Sequence, residues 1–297
     1  MSELYPFKNN FLELSGLKYH YLDEGEGDPV VMVHGNPSWS FYYRNLAKAL
    51  RDRYRVIVPD HIGCGLSEKP ADADYAYTLK SRIDDLEALL EHLDIRERIT
   101  LVVHDWGGMI GMGYAIRHPQ RIARLVILNT AAFHLPAEKE FPKALQICRD
   151  TAFGAFLVQR LNLFAVGAAL VGCKRNPIPP QIRSAYCAPY NSAKNRIATL
   201  RFVQDIPLKP DDPGYDLITE IATGLKQFAH LPMTICWGLK DFVFDHHFLK
   251  EWTTRFPDAE VHSFDDCGHY ILEDAQDEVI PIIEQFLATH PIDGHEK

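Results

Sequence analysis

The 297-residue sequence lacks the features that mark several protein classes. It has no run of lysine and arginine, and its formal net charge of −9 at pH 7 repels nucleic-acid phosphates and anionic headgroups. No apolar stretch reaches the roughly 20 residues of a membrane-spanning helix, and the N-terminus lacks the basic start and apolar core of a signal peptide. The sequence therefore predicts a cytoplasmic protein with no nucleic-acid partner and no integral membrane segment.

Signals for a metal site are also missing. The six cysteines show no CxxC spacing, which disfavours both a zinc site and a dense disulfide framework. Among the 14 histidines, the one close pair is His246 and His247. Neighbouring residues point apart on a helix or a strand, so we expect no metal.

The composition is that of an ordinary packed protein, with 46% hydrophobic and 24% charged residues. Short apolar runs, such as residues 30–33 and 99–103, alternate with segments of helical periodicity, such as residues 78–93. This alternation predicts an α/β fold with a parallel sheet and helices on both faces. In such folds, ligands bind at the carboxyl ends of the strands.

The alternation stops between residues 132 and 231. This stretch contains helical pieces that are interrupted by prolines, for example in residues 176–180. We therefore predict a helical cap of residues 132–231, inserted into a core of residues 1–131 and 232–297.

The strongest local signal for chemistry surrounds Asp105. An apolar strand runs into this residue and is followed by Trp106, Gly107 and Gly108. This is the pattern of a nucleophile elbow, in which a tight turn lifts one reactive side chain above the sheet edge. The usual pattern has glycine at the position of Val103 and serine at the position of Asp105. An aspartate that caps the following helix is the alternative interpretation.

Two later segments supply partners for Asp105. Asp241 follows the apolar run 233–237, and His269 follows a strand and a glycine. The order nucleophile, acid, histidine is that of an α/β-hydrolase triad, which predicts Asp105, Asp241 and His269 as the catalytic residues. Other carboxylates near His269 in the sequence are the alternatives for the acid: Asp245, Asp265, Asp266 and Asp274.

A carboxylate nucleophile suits displacement at an sp3 carbon. Aspartate forms an ester that water can attack, whereas a serine would form an ether that activated water cannot cleave. With a reference pKa of about 3.9, Asp105 needs no base for the first attack. His269 would then activate water to hydrolyse the covalent alkyl-enzyme ester, and Asp241 would hold the imidazole and stabilise the imidazolium.

Asn36 and Trp106 are candidates for binding the leaving group and the oxyanion. The backbone N–H of Trp106 and one from residues 34–36 are expected to donate to the oxyanion. The indole of Trp106 and the amide of Asn36 can hold an anion without supplying a proton. The alternatives are core packing for Trp106 and a turn before Pro37 for Asn36.

Together, these motifs resemble the haloalkane dehalogenases over nearly the whole chain: HGNPSWSFYYR (34–44), PDHIGCGLSEKP (59–70), VVHDWGGMIGM (102–112), WGLKDFVFD (237–245) and DDCGHYILED (265–274). The pair Asn36 and Trp106, with the acid at Asp241, is similar to the third subfamily. The resemblance implies an α/β-hydrolase fold with a mostly parallel eight-stranded sheet. It also implies an enzyme without cofactor that hydrolyses a halogenated alkane to an alcohol and a halide.

Two other segments resemble the β-lactone decarboxylases of bacterial olefin biosynthesis: NTAAFHLP (129–136) and APYNSAKNRIATLRFVQDIPL (188–208). These enzymes share the dehalogenase scaffold and its functional residues, so the core motifs do not separate the two activities. The alternative substrate is therefore a lipid-derived lactone. We expect the cap to select the small apolar substrate through side chains that otherwise are plain core residues: Phe133, Phe156, Phe164 and Phe202.

Two further functions stay open. Epoxide hydrolases also use an aspartate nucleophile, and two cap tyrosines, here Tyr186 and Tyr190, would protonate the alkoxide. Those enzymes typically carry an aromatic residue at the position of Asn36. A binding protein that has lost catalysis would normally lack a member of the triad. The sequence leaves the oligomeric state open.

Overall fold

An eight-stranded sheet forms the centre of the computed structural model, which describes residues 3–292. Its strands are β1 (Asn10–Leu14), β2 (Leu17–Glu24), β3 (Pro29–Val33), β4 (Arg55–Pro59), β5 (Ile99–Asp105), β6 (Ile122–Thr130), β7 (Met233–Gly238) and β8 (Glu260–Phe264). The order in the sheet is β1-β2-β4-β3-β5-β6-β7-β8. β2 pairs antiparallel with β1 and with β4, and all other pairs are parallel. The predicted mostly parallel eight-stranded sheet is confirmed.

Helices cover both faces of this sheet and also form the segment between β6 and β7. The helices are α1 (Arg44–Leu50), α2 (Leu79–His92), α3 (Trp106–Arg117), α4 (Lys143–Asp150), α5 (Ala152–Gln159), α6 (Leu163–Val171), α7 (Pro180–Cys187), α8 (Ile197–Gln204), α9 (Tyr215–Gly224), α10 (His246–Arg255), α11 (Ile271–Asp274) and α12 (Gln276–Thr289).

Two buried apolar clusters lie on the two faces. Successive strand side chains point to opposite faces, so Val31 and Val33 of β3 belong to one cluster and Val30 and Met32 to the other. Helices α2, α3 and α10 contribute to the first cluster, and α1 and α12 contribute to the second. Both faces are thereby shielded from water, as a parallel sheet requires.

The chain between β6 and β7 folds differently from the rest. Residues 131–232 contain helices α4 to α9 and no strand. This is consistent with a cap insertion, whose boundaries stay a prediction. No single helix within residues 3–292 is long and apolar enough to cross a membrane; α5 and α6 reach that length and composition only together, and they are bent by 73°.

The strand order determines where the candidate site lies. β5, β6, β7 and β8 are neighbours and run parallel, so their carboxyl ends meet at one edge. Asp105 ends β5, Asp241 follows β7, and His269 follows β8. Three residues that are far apart in the sequence therefore lie at the same sheet edge.

Candidate active site

The turn at Asp105 has the backbone of a nucleophile elbow. Asp105 adopts φ 53° and ψ −127°, a positive φ that side-chain-bearing residues rarely take. Gly107 permits the turn, because a Cβ there would lie 1.9 Å from the carbonyl oxygen of Val33. Val103 replaces the usual glycine without a clash because it faces Gly111, where a Cβ would lie 2.7 Å from Val103 Cγ1. The glycine opposite Val103 thus accommodates the departure from the usual pattern.

The predicted triad residues lie together. His269 Nδ1 is 2.7 Å from Asp241 Oδ2, and His269 Nε2 is 3.6 Å from Asp105 Oδ2. All three residues are buried. The geometry is that of a histidine between two carboxylates, while the catalytic roles stay a prediction.

The alternative carboxylates have other partners. Asp245 caps α10 through the N–H of His247 and forms an ion pair with Lys139 at 2.6 Å. Asp265 and Asp266 are exposed. None of these three contacts His269 within residues 3–292, which leaves Asp241 as the acid that the geometry favours.

Asn129 is a site residue that the sequence analysis missed. Its Nδ2 donates to Asp241 Oδ2 and to the Gly238 carbonyl, each at 3.1 Å, and its Oδ1 accepts from the Gly238 N–H at 2.8 Å. The N–H of Val243 donates to the other oxygen of Asp241 at 2.8 Å. Both carboxylate oxygens are therefore oriented toward fixed donors. The available signal was a polar residue near the carboxyl end of the otherwise apolar β6.

Asp274 anchors the turn that carries His269. It accepts hydrogen bonds from the N–H groups of Gly268 at 2.7 Å, Lys174 at 2.8 Å and Arg175 at 3.0 Å. From the sequence, Asp274 is expected only as an alternative acid. The contacts assign it a structural task, because they connect the His269 turn to the chain that follows α6.

Burial and charge shift the pKa values of the two central groups. Burial raises the pKa of Asp105, and the charge of His269 and hydrogen bonds from the Asn36 and Trp106 N–H groups oppose this shift only in part. Burial alone would lower the pKa of His269, but the charge and hydrogen bond of Asp241 and the charge of Asp105 outweigh it and raise the pKa. The imidazolium is thus favoured beside an ionised Asp105.

Asn36 and Trp106 lie where the motif analysis placed them. The N–H of Asn36 donates to Asp105 Oδ1 at 2.5 Å, and its side-chain amide donates to the Thr199 carbonyl of α8 at 3.1 Å. The Trp106 ring packs edge-on against Phe202, with ring centroids 5.3 Å apart. Within residues 3–292, no acceptor contacts the Trp106 indole N–H. This donor, beside Asp105, is available to a ligand.

A buried network holds the loop that carries Asn36. His34 Nε2 accepts from the His61 N–H at 3.1 Å, so the His34 proton lies on Nδ1, which donates to the Gly35 carbonyl at 2.7 Å. His61 Nε2 donates to the His34 carbonyl at 2.8 Å. Burial lowers the pKa of both imidazoles, which keeps them neutral. The Asn36 N–H is therefore held toward Asp105 by uncharged hydrogen bonds.

A cavity of about 280 Å³ adjoins Asp105. Its polar lining includes Asn36, Asp105 and His269, and most of the other lining side chains are apolar. Such a cavity suits a small apolar ligand that is oriented by a few polar groups.

The four candidate cap phenylalanines differ in their surroundings. Phe133 and Phe164 line the cavity, as expected. Phe156 is 51% exposed, so its assignment to the cavity or the core is wrong. Phe202 is fully buried behind Trp106 and does not line the cavity. The helical spacing of the cap could not show which of these rings faces inward.

The expectation that His246 and His247 point apart is wrong. Their ring centroids are 4.0 Å apart, and with Asp245 they place potential ligand atoms within 4.8 Å of one another. Both lie in the first turn of α10, where His247 Nδ1 is 3.0 Å from Asp245 Oδ1. Asp245 also pairs with Lys139, whose cation opposes a second positive charge. The expected absence of a metal stays a prediction.

Comparisons with known proteins show the family and several relatives of the chain. Residues 28–276 match the alpha/beta hydrolase fold family. A cis-3-alkyl-4-alkyloxetan-2-one decarboxylase of Shewanella oneidensis is 64% identical over 287 residues, which cover 97% of this chain and 90% of that protein. Haloalkane dehalogenase 2 of Mycobacterium bovis is 31% identical and covers 96% of each chain.

A solved structure gives the same fold. A haloalkane dehalogenase from Agrobacterium tumefaciens matches with a TM-score of 0.86 at 22% identity, over 98% of this chain and 100% of that one. The predicted resemblances to dehalogenases and β-lactone decarboxylases are confirmed. The chain is an enzyme, so the alternative of an inactive binding protein is excluded. With a family match over residues 28–276, the chain belongs to the alpha/beta hydrolase family.

Proposed function

We propose that this enzyme decarboxylates β-lactones that carry two alkyl groups, releasing an alkene and CO2. The observation that carries the proposal is the 64% identity to the Shewanella decarboxylase over nearly the whole chain. From the sequence motifs, haloalkane dehalogenation is the first prediction and β-lactone decarboxylation is the alternative. The comparisons support the second better, because the dehalogenase relative is only 31% identical.

The first step is displacement by Asp105 at the β-carbon of the lactone ring. Oδ1 of Asp105 is held by the Asn36 N–H, which leaves Oδ2, on the side of His269, as the attacking oxygen. The new bond joins Oδ2 to the β-carbon, and the ring C–O bond breaks with its electrons staying on the lactone carboxylate. This leaving group is an anion that needs no proton. The Trp106 indole and the Asn36 amide are donors of the required kind, because neither supplies a proton.

The second step is fragmentation of the resulting ester. The bond between the α-carbon and the carboxylate breaks, and its electron pair forms the alkene. The bond from the β-carbon to Asp105 breaks at the same time and returns its pair to the carboxylate. CO2 and alkene leave, Asp105 is regenerated, and no water is consumed. The His269 imidazolium stabilises the negative charge that returns to Asp105.

This sequence predicts the stereochemistry of the product. Attack by Asp105 inverts the β-carbon, and fragmentation with antiparallel bonds then removes the ester oxygen and the carboxylate from opposite sides. Taken together, the two steps remove the ring oxygen and the carboxylate from the same face of the lactone ring. A cis-substituted lactone therefore yields a cis alkene.

Hydrolysis of a halogenated alkane is the second candidate. It is favoured by the free Trp106 indole N–H beside Asp105, which suits a departing halide. For this reaction, water activated by His269 attacks the ester, and Oδ1 develops the charge next to the Asn36 N–H. An epoxide hydrolase is disfavoured because Tyr186 and Tyr190 are buried and line no part of the cavity.

Product analysis tests the proposed function. A cis β-lactone with short alkyl chains is expected to give cis alkene and CO2 in equal amounts, with little β-hydroxy acid. Gas chromatography with mass spectrometry quantifies all three products, and an Asp105→Ala preparation controls for contaminating enzymes. Two results would show that the enzyme is a hydrolase instead. One is β-hydroxy acid as the main product, and the other is a higher kcat/KM for bromide release from a bromoalkane than for lactone decarboxylation.

The pH dependence is expected to differ between the two reactions. On the acidic side, both rates fall as Asp105 is protonated, at a pH above the usual aspartate range because burial raises its pKa. On the alkaline side, decarboxylation falls as the pH rises through the raised pKa of His269, because the imidazolium is lost. Hydrolysis instead increases there, because neutral His269 is the base. Profiles of kcat for a lactone and a bromoalkane check this; a lactone rate that keeps rising with pH contradicts the role given to the imidazolium.

A further inference from the structure

Large exposed apolar side chains concentrate on one part of the cap. Twelve are exposed in the described chain, and eight of them lie between residues 147 and 171. We call the part formed by α5, α6 and the turn between them the outer apolar face, and it consists of Phe153, Phe156, Leu161, Leu163, Val166, Leu170 and Val171. An apolar surface of this density marks an interaction site.

One side of helix α6 belongs to the outer apolar face. Other residues of the same helix, such as Phe164 and Ala168, line the cavity. Leu163, Val166 and Leu170 follow the three- and four-residue spacing of one helix face. Leu163 is both 51% exposed and part of the cavity lining, and Val171 is likewise exposed and part of the lining. The outer apolar face is therefore continuous with the cavity.

The charge of this face differs from that of the whole chain. Residues 151–173 contain no carboxylate, and their one charged side chain is Arg160, with Lys174 directly after them. Neither cation forms an ion pair within residues 3–292. The net charge of −9 resides elsewhere, and beyond the Debye length of about 10 Å it is largely screened. The face thus offers the cation of Arg160, with no carboxylate in residues 151–173, to an anionic surface, whereas Lys174 lies beside Asp274, which accepts from its N–H.

We propose that the outer apolar face binds the surface of an anionic phospholipid bilayer, so that the cavity exchanges substrate and product with the lipid. The need for this follows from the proposed function. A cavity of about 280 Å³ has room for on the order of nine water-sized groups at about 30 Å³ each. The four ring atoms of the lactone and its carbonyl oxygen occupy the space of five such groups. Longer alkyl chains therefore extend beyond the rim formed by Leu163 and Val171.

The helix dimensions specify the binding mode. With nine residues, α6 is about 13 Å long, whereas the hydrocarbon core of a bilayer is about 30 Å thick. The outer apolar face therefore lies parallel to the bilayer at the boundary between headgroups and acyl chains, and it inserts its side chains between lipids. A second copy of the chain is a poorer occupant, because a two-fold contact through this face brings together like charges from Arg160 with no carboxylate opposite them.

Vesicle sedimentation tests the proposal without requiring catalysis. Wild type is expected to sediment with vesicles of equal parts dioleoylphosphatidylglycerol and dioleoylphosphatidylcholine. The double variant Leu161→Asp with Leu170→Asp is expected to bind at least tenfold more weakly, because two inserted side chains become charged. Phe11→Asp is the matched control: Phe11 is 50% exposed on β1, outside the face, and its replacement should leave binding unchanged.

A separate variant tests the electrostatic contribution to vesicle binding. Arg160→Gln is expected to weaken binding to these vesicles about fivefold and to leave binding to pure phosphatidylcholine vesicles unchanged. Leu161, Leu170 and Arg160 do not line the cavity, so turnover of a dissolved short-chain lactone should stay at the wild-type level. Vesicle binding without lactone turnover would refute only the proposed function.

Two results overturn the proposal: wild-type protein that does not sediment with the mixed vesicles, and a double variant that binds them as wild type does. If the first result comes with a wild-type dimer in light scattering that the double variant abolishes, the occupant of the face is a second copy. Unchanged thermal unfolding of the variants excludes misfolding as the cause.

Discussion

Asp105→Asn is expected to lower turnover of both lactone and bromoalkane by about four orders of magnitude or more. The amide is nearly the same size but cannot displace a leaving group, and nothing else in the cavity lining is an ionised carboxylate. The fold should survive, because the substitution removes a buried charge whose pKa burial has raised. Thermal unfolding at the wild-type temperature or above is expected, alongside initial rates measured by product release.

Two further variants make this result specific. Asp245→Asn changes a carboxylate at the start of α10 and is expected to retain most activity, because Asp245 caps the helix and pairs with Lys139. Asp105→Ala excludes slow conversion of the asparagine back to aspartate. Substantial turnover by Asp105→Ala would mean that another group is the nucleophile.

His269→Gln is expected to separate the two reactions. With a bromoalkane, Asp105 is alkylated but water is not activated, so a stable ester accumulates and steady-state turnover falls by three orders of magnitude or more. With a β-lactone, the second step needs no water. Turnover then falls about a hundredfold through loss of the imidazolium charge, and no ester accumulates. Intact-protein mass spectrometry and steady-state rates measure both outcomes.

His247→Gln is the matched control, because His247 lies near the Asp241 loop without contacting the triad. It should behave as wild type with both substrates. An Asp105 adduct that persists with the lactone would show that breakdown requires water, and the waterless second step would be wrong. If Asp105 of His269→Gln stays unmodified with a bromoalkane that the wild type turns over, the reaction does not proceed through a covalent ester at Asp105.

The order of the triad residues could be predicted because periodicity identifies buried strands. Parallel neighbours share their carboxyl edge, so Asp105, Asp241 and His269 were expected together from their places after apolar runs. Glycine and strand patterns also predicted the sharp turn at Asp105. They could not show that Val103 is tolerated, because this depends on Gly111 in the helix opposite.

The supporting residues depend on contacts between distant segments. Asn129 reaches Asp241 across 112 positions, and Asp274 accepts from Lys174 across 100. No local pattern in the sequence records such a pairing. A polar residue that ends an apolar strand, as Asn129 does near the end of β6, is the one local sign of it.

The sequence by itself determined the sheet, the sharp turn at Asp105 and the places of Asp241 and His269 at the same sheet edge, because strand periodicity and turn residues act over a few neighbouring residues. Only the tertiary structure decided which side chains of the cap face inward. Phe164 lines the cavity while Phe156 is exposed, although both lie on short apolar helices. The reason is physical: a helix that is apolar on most sides has no periodicity to orient it, so packing against the core sets which face is buried and which stays exposed.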